Sequence, residues 1–155
     1  MHTNAGSGPT PARGTSSFIY SGTPTAGSAA LQRAIHTQFV GDLRRDYDAT
    51  WVDRGQQRAN FGEVRVLRTM PGVLLELAFH DRDASPDHDA IHDPDFRRIA
   101  GRAIARGLLR YFNSSAPFPP EPPEAFRITG DGNGGLRAAW DPVPGATQYV
   151  VEVSA

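Results

Sequence analysis

The 155-residue sequence contains no cysteine and no lysine, and no apolar run in it approaches the ~20 residues of a membrane span. The first absence excludes disulfides, thiolate zinc sites and cysteine nucleophiles, and suits an extracytoplasmic protein. All 16 basic residues are arginine, a skew that reads as coding bias before function. Against 17 acidic residues they leave a formal net charge of -1. No global field therefore directs the chain to nucleic acid or an anionic membrane, and neither is expected as a partner. The opening residues, MHTNAGSGPT, lack the basic and apolar regions of a signal peptide. What is present is 39% hydrophobic and 21% charged, enough for a packed core.

The most telling segment is Pro71 to Phe79, PGVLLELAF. Val73, Leu74, Leu75 and Leu77 have the continuous apolar character of a strand buried on both faces. Glu76 interrupts it. An unpaired charge there costs several kcal/mol, so it calls for a partner, a metal or a site open to water. Two readings fit the strand itself: Glu76 as a general base, or Glu76 paired with an arginine such as Arg68.

Residues 1–13 are rich in Gly, Pro, Ser, Thr and Asn and read as loop. Gly14 to Tyr20 ends in a β-prone run. Ser28 is a candidate cap for a helix whose apolar positions are Leu31, Ala34, Ile35, Phe39 and Leu43. Glu63 to Leu67 alternates through Val64 and Val66 in the manner of a strand. The stretch from Asp81 to Asp93 is acidic and, with His80, carries three histidines. The spacing of His80, Asp81, His88, His92 and Asp93 matches no standard ligand pattern, so a solvated acidic loop is expected. Asp93-Pro94 supplies an N-cap and a first-turn proline. From Phe96, the residues Ile99, Ala100, Ala103, Ile104, Leu108 and Phe112 draw one stripe of an amphipathic helix. Arg97, Arg98, Arg102, Arg106 and Arg110 occupy the rest, as a solvent face does.

Residues 113–123 (NSSAPFPPEPP) form a proline-rich linker. Three β-like runs follow: Ala125 to Thr129, Leu136 to Trp140, and a third through Tyr149, Val151 and Val153. Trp140 alternates with Leu136 and Ala138 and reads as a sandwich core residue rather than a sugar-stacking platform.

Two pieces now resemble a family. HTNAG at His2 to Gly6, the strand from Gly14-Thr15, and MPGVLLELAF with a terminal amphipathic helix are similar to the zinc-dependent N-acetylmuramoyl-L-alanine amidases. These enzymes cleave the lactyl amide between glycan and stem peptide in peptidoglycan. Their Ser-x-His-x-Asn-Ala motif is matched by His2, Asn4 and Ala5, with Met1 at the apolar position and the serine absent. Their Pro-x-Val-Leu-x-Glu-x-Gly-Phe strand is matched by Pro71, Val73, Leu74, Glu76 and Phe79, with Ala78 replacing the glycine. The resemblance implies that His2 is a zinc ligand and Glu76 the catalytic carboxylate. The family's other two protein ligands lie upstream of the first motif, so the Zn2+ site is expected to be incomplete here.

LRAAWDPVPGATQYVVEVSA resembles the opening of a fibronectin type III domain, of which about three of roughly seven strands are present. The expected organisation is an amidase catalytic part over 1–112, the linker over 113–123, and a fibronectin-like start over 124–155. The fold class expected is α/β, a partial mixed sheet flanked by amphipathic helices, with a short all-β piece at the C-terminus. The implied function is hydrolysis of the muramoyl–L-alanine amide, in the periplasm or outside the cell, with peptidoglycan as partner and an activator unspecified. This chain alone is expected to be inactive. The competing reading is a non-catalytic remnant that binds cell wall or a protein.

Overall fold

The structure is a computed structural model that describes residues 2–6, 8, 12–83 and 85–151. Met1 and Val153, which carry two of the sequence readings, lie outside the described residues. The chain divides into two compact units, Met1–Ala116 and Pro117–Ala155.

The first unit is a mixed α/β fold. Strands β1 (His2–Asn4), β2 (Thr15–Tyr20), β3 (Asp53–Ala59) and β4 (Leu74–Phe79) form one sheet in the order β1-β4-β2-β3. β1 runs parallel to β4, β2 antiparallel to β4, and β3 parallel to β2. Helices α1 (Ser28–Asp46) and α4 (Pro94–Tyr111) pack on one another against one face of the sheet. Leu75 and Ala78 of β4 meet Leu31, Ile35, Phe39, Phe96, Ile99 and Ala103 there. The opposite face carries a smaller cluster of Phe18, Leu74 and Val64. β4 is therefore apolar on both faces, as its composition requires.

α1 begins at Ser28, but Ser28 is not its cap. Gly27 holds the cap position with φ +86°, and the Ser28 hydroxyl instead accepts from the Gly72 N–H at 3.1 Å. That bond ties α1 to the segment leading into β4. α4 begins as expected: Pro94 opens it and the Asp93 carboxylate accepts from the Asp95 N–H at 2.8 Å. In its apolar stripe Phe96, Ile99, Ala100 and Ala103 are buried and Ile104 half-buried, whereas Leu108 and Phe112 stay exposed. Phe112 is already the C-terminal cap residue, with its ring against Tyr111.

Two further expectations are corrected. Glu63 to Leu67 is no strand: Gly62–Arg65 forms the short helix α2, which buries Val64 and leaves Val66 exposed. Nor is Asp81 to Asp93 simply a solvated loop. Pro86–His92 forms helix α3, capped by the Ser85 hydroxyl accepting from the His88 N–H. Asp87 on that helix is fully buried. Its carboxylate accepts from the Gly14 N–H at 2.7 Å, the Phe79 N–H at 3.1 Å and the Arg13 guanidinium at 3.4 Å. A buried charge persists only with such donors, and this one locks the start of β2 to the end of β4.

A second buried lock crosses the core. The Trp51 indole donates to the Thr15 hydroxyl at 2.9 Å, which donates to the Leu77 carbonyl at 2.7 Å. Strand β3 was not foreseen at all. DRGQQRA has no apolar alternation, and α1 holds it instead: the Gln32 amide donates to the Gln57 carbonyl and His36 Nε2 lies 2.8 Å from the Asp53 carboxylate.

In the second unit, β5 (Arg127–Gly130) and β6 (Leu136–Ala139) form an antiparallel hairpin. Trp140 lies between Phe126 and Tyr149, with ring centroids at 6.3 and 5.2 Å. The described residues 149–151 form no strand; Val151 is 55% exposed, so its alternation meets no packed face.

Candidate active site

The parallel pairing of β1 with β4 brings His2 beside Glu76, and the antiparallel pairing of β2 brings Ser16 to its other side. Glu76 opens on the face of Leu74 and α2, away from α1 and α4, because alternate residues of a strand share a face. His2 Nδ1 lies 3.9 Å from Glu76 Oε1 and equally 3.9 Å from Oε1 of Glu63 on α2. These separations are ion-pair range and too long for hydrogen bonds. The imidazole is half-exposed, while the Glu76 side chain is only 11% exposed.

Glu76 Oε2 is buried without a hydrogen-bond partner among the described residues. Burial pushes the Glu76 carboxyl above its usual range; His2 pulls it down, Glu63 pushes it up, and His80 pulls it down again. Desolvation prevails because no hydrogen bond serves the charged form. The alternative of a Glu76–Arg68 pair is not what the structure has. Arg68 donates to the Arg65 carbonyl at 2.6 Å.

The HTNA motif has a local explanation as well. Asn4 Oδ1 accepts from the Ala5 N–H at 2.8 Å and the Asn4 carbonyl from the His80 N–H at 2.9 Å, which turns the chain out of β1. On α3 the His88 and His92 rings lie tilted with centroids 4.5 Å apart, and His88 Nε2 lies 3.5 Å from Asp83. Glu63 and Arg54, whose guanidinium lies over the Phe79 ring at 5.1 Å, were not singled out from the sequence. Glu63 stood only at the head of an expected strand and Arg54 in no pattern at all, so only the fold draws them to this face.

Residues 1–110 match the family described as N-acetylmuramoyl-L-alanine amidase. The chain belongs to that amidase family. No curated protein sequence matches it. Among solved structures, it is similar to the N-acetylmuramoyl-L-alanine amidase from Clostridium difficile 630, with a TM-score of 0.61 and 22% identity over 74% of this chain and 56% of that one. The catalytic domain of CwlV, the amidase from Bacillus (Paenibacillus) polymyxa var. colistinus, gives 0.59 and 24% over 73% and 55%. The CwlD amidase from Clostridioides difficile, solved in complex with the GerS lipoprotein, gives 0.56 and 20% over 72% and 51%. At these identities the structures bear on the fold alone. The amidase-family chain spans little more than half the length of each.

The zinc that this family resemblance implies can be tested against the residues present. A catalytic zinc takes about three protein ligands and a water. Among the described residues, no group of three or more His, Cys, Asp or Glu side chains is set to hold a metal ion. His2 offers one imidazole, and the orphaned oxygen of Glu76 offers a base rather than a ligand set. The described residues do not by themselves fit a zinc ion.

Proposed function

We propose that this chain carries the proton-transfer half of a peptidoglycan amidase site, which hydrolyses the amide between N-acetylmuramic acid and L-alanine. Glu76 is the general base and then the general acid. It takes a proton from the attacking water, whose oxygen bonds to the lactyl carbonyl carbon. It returns that proton to the alanine nitrogen as the C–N bond breaks. The observation that carries this reading is the buried, unpartnered Oε2 of Glu76 in a strand that family membership makes an amidase strand. A carboxyl raised by burial is closer to the pKa a proton shuttle needs.

In this reading His2 is one zinc ligand, and the ion needs donors beyond the described residues. The chain alone is therefore inactive. Residues 1–112 are the amidase part, 113–123 the linker, and 124–155 the start of a fibronectin type III-like domain. The clustering of Trp140 with Phe126 and Tyr149 supports the last assignment. The site of action is the cell wall, in the periplasm or outside the cell. Because CwlD was solved with a lipoprotein, a protein partner also belongs to the proposal.

The test is release of stem peptide from purified peptidoglycan. The chain supplied with zinc is expected to release none and to bind less than one equivalent. A fusion of the upstream part of the C. difficile relative's catalytic domain to this chain is expected to bind one zinc and release stem peptide, and to lose that activity with Glu76→Gln. A folded, zinc-loaded fusion that binds cell wall but hydrolyses nothing would instead favour the non-catalytic remnant. Release by the chain alone would overturn the incomplete site.

A further inference from the structure

We propose that Arg54, laid over Phe79, is a carboxylate-binding subsite for an anionic peptide on the Glu76 face of the sheet. The inference rests on the amidase reading for the position of the scissile bond, and on the structure for everything else.

A cavity of about 370 Å³ opens on the Glu76 face of the sheet, with Asn4, Ser16, Phe18, Arg54, Gln57 and Phe79 among its walls. It adjoins Glu76 through strand register. Ser16 pairs with Glu76 across β2–β4, and Asn4 pairs with Phe79 across β1–β4. Phe79 follows Glu76 by three residues along β4, but the β1–β4 register spends two steps on β1 against three on β4. This irregularity returns Phe79 to the Glu76 face and brings it closer than the ~10 Å of three straight strand residues.

Arg54 is aimed at this cavity by an irregularity in the sheet. The β2–β3 register shifts between Thr15, paired with Asp53, and Ser17, paired with Gln56. β3 thus spends three steps where β2 spends two, a bulge, and Gly55 within it has φ +87°. Bulges re-aim side chains, and they recur beside functional sites. The guanidinium comes to rest 5.1 Å from the Phe79 ring centroid. The Gln57 amide donates to the Arg54 carbonyl at 2.9 Å and so fixes the turn behind it.

No carboxylate among the described residues pairs with Arg54. Its neighbour Asp53 is engaged by His36 and by the Gly55 N–H. Asp81, near the cavity mouth at Gly6, is held by the Gly6 N–H and Arg82. One face of the guanidinium is covered by the ring, and its edge donors are left for a ligand. That edge matches a carboxylate in bidentate geometry. A separation of up to ~10 Å along β4 corresponds to at most about three residues of extended peptide. The ligand is therefore an acidic peptide whose carboxylate lies two to three residues from the amide beside Glu76.

The test titrates the full chain with the N-acetylated tripeptide Ala-D-Glu-Ala, as the free acid and as the fully amidated form, by calorimetry. The wild type is expected to prefer the acid by at least about tenfold, the scale of a charge-assisted contact. Arg54→Gln is expected to abolish that preference, and Arg54→Lys to retain part of it. Equal affinity for acid and amide, or an acid preference that survives Arg54→Gln, would overturn the subsite. Because the readout is binding, the two ideas fail separately. A fusion whose Glu76-dependent hydrolysis and KM ignore Arg54→Gln would sink the subsite and keep the amidase. Arg54-dependent acid selectivity without hydrolysis would keep the subsite and sink the amidase.

Discussion

Glu76 and His2 are register partners across a parallel strand pair, with 3.9 Å between carboxylate and imidazole, and the other carboxylate oxygen of Glu76 is buried without a partner. The arrangement tolerates the protonated acid better than the anion. Burial raises the folded-state pKa, so folded protein binds a proton more readily than unfolded chain. The associated stability is fully present below the ordinary glutamate pKa of about 4.3 and is lost as pH rises through the folded value. Glu76→Gln is expected to raise the melting temperature at neutral pH, with the gain vanishing below about pH 4. Thermal unfolding of both proteins from acid to neutral pH checks this. A pH-independent difference would mean that Glu76 is not the group responsible.

Asp87 is the structural counterpart of Glu76, a buried carboxylate with donors on every side. Asp87→Ala leaves two backbone N–H groups and Arg13 without their acceptor. A loss of about 2–4 kcal/mol is expected, the scale for orphaning buried donors and breaking a buried pair. Denaturant unfolding measures it. A loss below about 1 kcal/mol would show that water or another acceptor replaces the carboxylate.

The difference between these two aspartate and glutamate sites also marks what the sequence can disclose. Glu76 stood out because its neighbours are uniformly apolar, and the periodicities of β2, β4, α1 and α4 were equally plain. Asp87 sits among other acids, Asp81, Asp83 and Asp89, so nothing local distinguishes the one that is buried. β3 escaped for a related reason: it is an exposed edge strand held by Gln32 and His36 from α1, and those bonds span 25 and 17 residues. In α2, two valines at alternate positions imitate a strand, yet a four-residue helix is too short to display a helical period. Of the candidate site, the sequence singled out Glu76 by its apolar neighbours and His2 only through the family resemblance. Glu63 and Arg54 reach it only through the fold.

The arginine face of α4 is not wholly given over to solvent. Arg106 donates to Asp42 at 3.0 Å, and Gln38 and Arg45 serve the other oxygen of that buried carboxylate. Burial would raise the Asp42 carboxyl; the hydrogen bonds from Gln38, Arg106 and Arg45 outweigh it and hold it below the usual range. A depressed carboxylate stabilises the fold above its unfolded pKa of about 3.9, and that stability is lost as pH falls through the folded value. Arg106→Met is expected to cost about 1–3 kcal/mol at neutral pH, and the penalty should shrink below about pH 4. Urea unfolding at several pH values tests it. A constant penalty would assign Arg106 to packing alone.

Two glycines on α4 give a test of the helix interface itself. A Cβ on Gly107 would lie 2.7 Å from the Cα of Ile35 on α1, so the helices would have to separate. A Cβ on Gly101 would meet nothing within 4 Å. Replacing a helical glycine by alanine contributes up to about 1 kcal/mol through backbone entropy wherever space allows. Overpacking against rigid backbone costs about 1–3 kcal/mol, so at Gly107 the steric cost prevails. Gly101→Ala is expected to stabilise by about 0.5–1 kcal/mol and Gly107→Ala to destabilise by about 1–2 kcal/mol. Unfolding midpoints of the two variants decide the matter by sign alone. If both variants gained stability, α1 and α4 would not be in the close contact on which the core beneath β4 depends.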